Sequence, residues 1–159
     1  MKLEILKRII LLSIFIMAAS CDKEDEQIDT EKPVLNLSYD NAFPKSCAVL
    51  KRGNTYIFRA LATDNIGVAS YSIDIHHNFD QHTHDDQPGV CPLDPKKTAV
   101  KPMIYMQNFA VPDAGTSYEI YREISIPQDI DPGDYHCQIS TIDKTGWQSR
   151  TSVDIKIIE

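Results

Sequence analysis

The chain has 159 residues, with 16 Lys and Arg against 23 Asp and Glu, for a formal charge of −7. That balance excludes the broad cationic face that nucleic-acid binding needs, and suits either solubility or cations as ligands. The length fits a single domain large enough to bury a core of its own.

The first eight residues form a basic n-region containing Lys2, Lys7 and Arg8. An apolar run over 9–17 follows, and then Ala18-Ala19-Ser20-Cys21. The apolar run is shorter than the about 20 residues a bilayer-spanning helix needs, and it ends in small residues, so 1–20 reads as a signal peptide. A cysteine directly after Ala-Ala-Ser resembles the bacterial lipobox. Cys21 is therefore expected to carry diacylglycerol and an acylated N-terminus, since several acyl chains at one residue anchor firmly where one binds only marginally. Cleavage removes three basic residues and Glu4, leaving 13 Lys and Arg against 22 Asp and Glu, a charge of −9. Residues 21–32 read as an acidic tether, because Asp22-Lys23-Glu24-Asp25-Glu26-Gln27 offers nothing apolar to pack. The same stretch resembles the acidic export signal of surface-exposed lipoproteins of the Bacteroidota. The expected location is the outer membrane, surface-exposed or periplasm-facing, with the membrane as a partner through the Cys21 lipid.

From residue 33 to 159 no long segment has helical periodicity. Short alternating runs at 34–39, 55–62, 69–78, 103–109, 118–126, 134–142 and 151–158 are punctuated by Pro, Gly, Asn and Asp. This predicts an all-β domain, an immunoglobulin-like (fibronectin-like) β-sandwich of about seven strands. Asp64-Asn65-Ile66-Gly67 and Asp143-Lys144-Thr145-Gly146 are matching turns, in which Asp binds turn amides and Gly supplies a positive φ. Tyr135, two residues before an inward Cys137, resembles a tyrosine corner. The polar segment 80–101 is the exception to the short-loop pattern, and long loops in compact domains tend to be functional or disordered. With Cys21 lipidated, three cysteines remain. Cys47–Cys91 is the favoured disulfide, both residues lying in loop-like surroundings, with Cys137 as a buried thiol; Cys47–Cys137 is the rival pairing, and spacing does not choose between them.

The chemistry-bearing feature is His76-His77-Asn78-Phe79-Asp80-Gln81-His82-Thr83-His84, followed at once by Asp85 and Asp86. Four of the five histidines lie here, and neutral imidazole is the commonest protein ligand for zinc and copper. In an extended segment His82 and His84 face the same way. If Tyr71, Ile73 and Ile75 face the core, then Ser72, Asp74 and His76 take the opposite, solvated face. Tyr135, Cys137 and Ile139 pointing inward likewise turn His136 outward. The third and sixth runs are neighbours in such a sheet, so His76 and His136 would meet there. The candidate ligands are His76, His77, His82, His84 and His136, for Zn(II), Cu(II) or Ni(II). His77 falls on the inward side by parity and has an ordinary structural reading as a hydrogen-bonded histidine.

The lipobox, Cys47 followed by Lys51-Arg52-Gly53, the block from Ile73 to His84, and Gly133-Asp134-Tyr135-His136 together resemble a family of small Bacteroidota lipoproteins whose function is not established. The likeness spans nearly all of the mature domain. It implies an immunoglobulin-like or fibronectin-like fold, an envelope location and an apolar core role for Cys137, and it implies no activity. Metal acquisition or buffering by an envelope lipoprotein is the leading functional expectation. A non-enzymatic adhesion module binding protein or glycan is the alternative, with Trp147, Tyr105, Tyr118 and Tyr121 as aromatic candidates. An enzyme is not expected: Asp74, Asp80 and Asp85 sit in no hydrolase motif, and no nucleophile elbow, phosphate loop or dinucleotide fingerprint occurs.

Overall fold

A computed structural model describes residues 28–84 and 91–159, so the expected signal peptide, Cys21, most of the expected tether, Asp85 and Asp86 lie outside the described residues. The described chain is an all-β sandwich. Its strands are β1 (Val34–Asn36), β2 (Ala48–Lys51), β3 (Thr55–Thr63), β4 (Val68–His77), β5 (Tyr105–Ala110), β6 (Ser117–Ser125), β7 (Gly133–Asp143) and β8 (Gln148–Ile158). One sheet runs β1-β3-β6 and the other β2-β8-β7-β4-β5.

The sequence predicts seven strands and the described residues hold eight. The extra one, β2, is four residues long and buries only Leu50, too little for an alternating signal. It pairs in parallel with the end of β8, from Ala48 opposite Ile155 to Lys51 opposite Ile158. Two predicted boundaries also move for local reasons. β1 stops early because the Ser38 amide turns back to Asn36 Oδ1 at 2.7 Å. β5 starts late because the Met103 amide donates to Tyr135 Oη instead of to a ladder partner.

Alternation places the core as the sequence implies. Tyr71, Ile73 and Ile75 of β4 and Tyr135, Cys137 and Ile139 of β7 face inward against Phe58, Ala60, Ile120 and Ile124 of the smaller sheet. Both Asp turns form. Asp64 Oδ1 accepts the amides of Ile66 and Gly67, and Asp143 Oδ1 those of Thr145, Gly146 and Trp147. Gly67 sits at φ 140°, where an added Cβ would lie 2.3 Å from the Ala114 carbonyl.

Tyr135 closes the corner before β7: its hydroxyl donates to Asp131 O at 2.5 Å and accepts from the Met103 amide at 3.2 Å. Tyr135→Phe leaves both backbone groups without that partner, and is expected to destabilise the fold by about 1–3 kcal/mol in urea unfolding.

The long loop is fastened at several points. Cys47 and Cys91 form a disulfide, while Cys137 is a free, buried thiol. The Asp94 amide donates to Asp134 Oδ2 at 2.6 Å, Lys156 Nζ stands 2.8 Å from Asp94 Oδ1, and the Lys97 amide bonds to Phe79 O. These ties hold the segment after β4 against the ends of β7 and β8.

Candidate metal centre

One row of the five-stranded sheet builds the floor of the site. In the ladder His76 of β4 stands opposite His136 of β7, and His136 stands opposite Asp154 of β8. All three belong to the face turned away from the core, as parity requires. That face is not solvated at this point: His136 is fully buried. The expectation of a water-exposed His136 fails because the chain after β4 folds back over it. The Asn78 amide bonds to Asp134 O, the Gln81 amide bonds to Asn78 O, and Gln81 takes a positive φ of 59°. This tight reversal sets His82 and His84 above the row, with His82 O 3.2 Å from His136 Nε2.

The result is a four-ring cluster. The His136 ring centroid lies 4.6 Å from that of His84, 4.8 Å from His82 and 5.6 Å from His76. His76 Nε2 is 3.2 Å from His84 Nε2 and 3.3 Å from His82 Nε2. One nitrogen from each of His76, His82 and His84 lies within 4.8 Å of the other two. The side chains of His76 and His82 are about a quarter and a third exposed, so the cluster opens to solvent on one side while His136 closes its base.

The partners of the other ring nitrogens decide what the cluster can hold. Asp74 Oδ1 lies 3.0 Å from His76 Nδ1, and Asp80 Oδ1 lies 2.6 Å from His82 Nδ1. A carboxylate acceptor places a proton on each of these Nδ1 atoms and leaves Nε2 as the nitrogen that can offer a lone pair to a cation. The hydrogen bond from His82 holds the Asp80 carboxyl below the usual carboxylate range, consistent with its ionised state. Two lone pairs facing each other at 3.3 Å repel unless a positive species lies between them. One proton can bridge two such nitrogens, whereas a cation can satisfy all three. A tetrahedral ion about 2.0–2.1 Å from each nitrogen sets neighbouring nitrogens about 3.3–3.4 Å apart, close to the two separations given above. Carboxylate on Nδ1 with Nε2 left for the metal is also the usual outer-shell arrangement of metal-binding histidines.

His136 repeats part of this pattern. Its Nδ1 lies 2.9 Å from Asp154 Oδ1. Burial pushes its pKa below the ordinary imidazole range, against smaller upward pulls from the His82 carbonyl and the Asp154 carboxylate. The ring is therefore neutral at pH 7, and its one hydrogen bond here runs from Nε2 to the His82 carbonyl, since the approach of Nδ1 to Asp154 lacks hydrogen-bond geometry.

A family model matches residues 19–158. The chain belongs to the DUF4625 family, a domain of unknown function. No curated protein shows a match to the chain.

Within this DUF4625 domain, His77 is the predicted ligand that the fold leaves apart. Parity turns it away from the cluster, and its ring packs 4.9 Å from Phe79. The four aromatics considered as a platform are scattered as well. Tyr118 and Tyr121 belong to β6 in the smaller sheet, Tyr105 to an edge strand of the larger one, and Trp147 to the turn before β8. The acids that orient the rings were the part the histidine pattern did not supply. A signal for two of them exists in Asp-x-His at Asp74-Ile75-His76 and Asp80-Gln81-His82, although the same pattern at Asp134-Tyr135-His136 marks an acid that pairs with Lys156 instead. Asp154 has no such mark, because only the pairing of β7 with β8 brings it to His136.

Proposed function

We propose that this DUF4625 domain is the metal-binding module of a bacterial envelope lipoprotein, ligating a zinc or copper ion through His76, His82 and His84. The observation that carries the reading is the approach of three Nε2 atoms, two of them on rings whose Nδ1 is engaged by an aspartate. Imidazole-only ligation suits Zn(II) or Cu(II), with Ni(II) the third candidate. His136 supports the loop through its Nε2. To serve as a fourth nitrogen donor it would have to release the His82 carbonyl, so the three convergent rings form the site and His136 is its buried base. A three-nitrogen site with one open side fits reversible capture, and hence acquisition or buffering of the metal at the envelope.

The Ala18-Ala19-Ser20-Cys21 motif supports lipid anchoring at Cys21, and the acidic residues after it support an outer-membrane address. The histidine block supports kinship with the Bacteroidota lipoproteins that it resembles. The three-and-five arrangement of strands, with a tyrosine corner before β7, supports an immunoglobulin-like assignment of the sandwich.

The test is elemental analysis and calorimetric titration of the purified mature chain without a histidine tag. The expected result is about one zinc or copper per chain, retained through purification or taken up on titration. Metal-free protein that also binds nothing when titrated with zinc, copper and nickel would remove the proposal.

A further inference from the structure

At the opposite end of β7 from the histidines, three carboxylates converge. Asp64 sits in the turn between β3 and β4, Asp143 opens the turn between β7 and β8, and Asp29 belongs to the segment that enters the domain. The two turns are adjacent because Val68 pairs with Asp143 across β4 and β7, and because the Lys144 amide bonds to Gly67 O. One oxygen from each aspartate lies within 4.8 Å of the other two. Asp29 and Asp64 are 9% exposed and Asp143 only 2%.

Each of the two turn aspartates uses one oxygen and leaves the other. Oδ1 of Asp64 and of Asp143 hold the turn amides, whereas Oδ2 of each is buried without a hydrogen-bond partner. Among the described residues no Lys or Arg forms an ion pair with any of the three. Three carboxylates removed from water at this spacing, with two oxygens unsatisfied and no ion-pair partner among the described residues, are costly unless a cation joins them. Asp29 is held beside the two turns: its Oδ1 accepts from Asn65 Nδ2 at 3.1 Å, its Oδ2 accepts from Thr145 Oγ1 at 2.8 Å, and its carbonyl accepts from Trp147 Nε1 at 3.1 Å.

We propose that Asp29, Asp64 and Asp143 form a site for a hard divalent cation, calcium, which clamps the entering segment onto the two turns. Oxygen-only ligands select Ca²⁺ over the softer ions that suit the histidines. Ligands drawn from three separate segments suit the flexible coordination of calcium better than the strict octahedron of magnesium. Residues 28–32, read from sequence as part of a solvated tether, thereby become part of the domain, held there by the cation.

Trp147 is the only tryptophan in the chain and its indole touches Asp29, which makes it a local antenna. The test is tryptophan-sensitised Tb³⁺ luminescence of the purified mature chain, with displacement by CaCl₂ and a thermal melt in CaCl₂ against chelator. The expected result is sensitised emission that Ca²⁺ displaces, and a melting temperature raised by Ca²⁺. Asp29→Ala, which leaves both turns intact, weakens Ca²⁺ at least about tenfold. The His82→Ala/His84→Ala variant keeps the signal unchanged, which separates this site from the histidine site. Absence of sensitised emission together with an unmoved melt in millimolar CaCl₂ would overturn the proposal. So would an Asp29→Ala variant that binds Ca²⁺ as the parent does.

Discussion

The His82→Ala/His84→Ala variant is expected to lose more than about 100-fold in zinc or copper affinity, enough to abolish binding in a calorimetric titration. Two of the three convergent Nε2 donors disappear, and His76 alone retains the geometry of an ordinary surface imidazole. Both substituted residues lie in a loop outside the hydrophobic core, so the metal-free variant should unfold within about 0.5 kcal/mol of the metal-free parent. Charge-removing substitutions at the supporting acids should act in a graded way. Asn at position 80 still offers a carbonyl oxygen to His82 Nδ1, but the charge that makes the imidazole a stronger donor is gone. Asp80→Asn and Asp74→Asn are therefore each expected to weaken binding about 10- to 100-fold, the usual range for outer-shell partners. Equal affinities in parent and double variant would place any bound metal elsewhere in the chain.

Removal of the disulfide is the second large effect. The Cys47–Cys91 bond joins residues 44 apart in sequence. Closing a loop of that size restricts the unfolded chain by about 4 kcal/mol in the chain-entropy account. The Cys47→Ser/Cys91→Ser variant is expected to lose about that much stability in urea unfolding, and reduced parent should match it. In the folded protein Cys137 does not compete for the crosslink, because burial pushes its thiol far above the ordinary cysteine range. The same bond tethers one end of the segment that carries His82 and His84, so metal affinity should fall with it. A reduced protein as stable as the oxidised one would show that the ties of Asp94 and Lys97 suffice without the crosslink.

Much of this architecture is legible in the sequence, because alternation is a local signal. The inward set Tyr71, Ile73 and Ile75 and its counterpart Tyr135, Cys137 and Ile139 follow from period two, and the two Asp turns from residue chemistry. The neighbouring of β4 and β7 then brings His76 and His136 together. What alternation cannot supply is the path of an irregular segment. The reversal at Asn78–Gln81 that covers His136 depends on one backbone bond to Asp134, on β7, and on a positive φ at a glutamine. No local pattern announces either. Asp154 and the Asp29–Asp64–Asp143 convergence escape for a related reason: strand pairing between distant segments places Asp154 and the two turns, and side-chain bonds to Asn65, Thr145 and Trp147 bring in Asp29. β2 escapes because four residues with one buried side chain carry too little periodicity to stand out.

The proposed metal site requires imidazole nitrogens to meet at one point, and X-ray absorption at the metal edge of the zinc-loaded mature chain reads that directly. Imidazole ligation appears there as nitrogen scatterers at about 2.0–2.1 Å with the multiple-scattering signature of the ring. The expected spectrum contains at least three such ligands, falling by two in the His82→Ala/His84→Ala variant if any zinc stays bound. A spectrum fitted by oxygen ligands alone, or one left unchanged by that double substitution, would contradict the assignment.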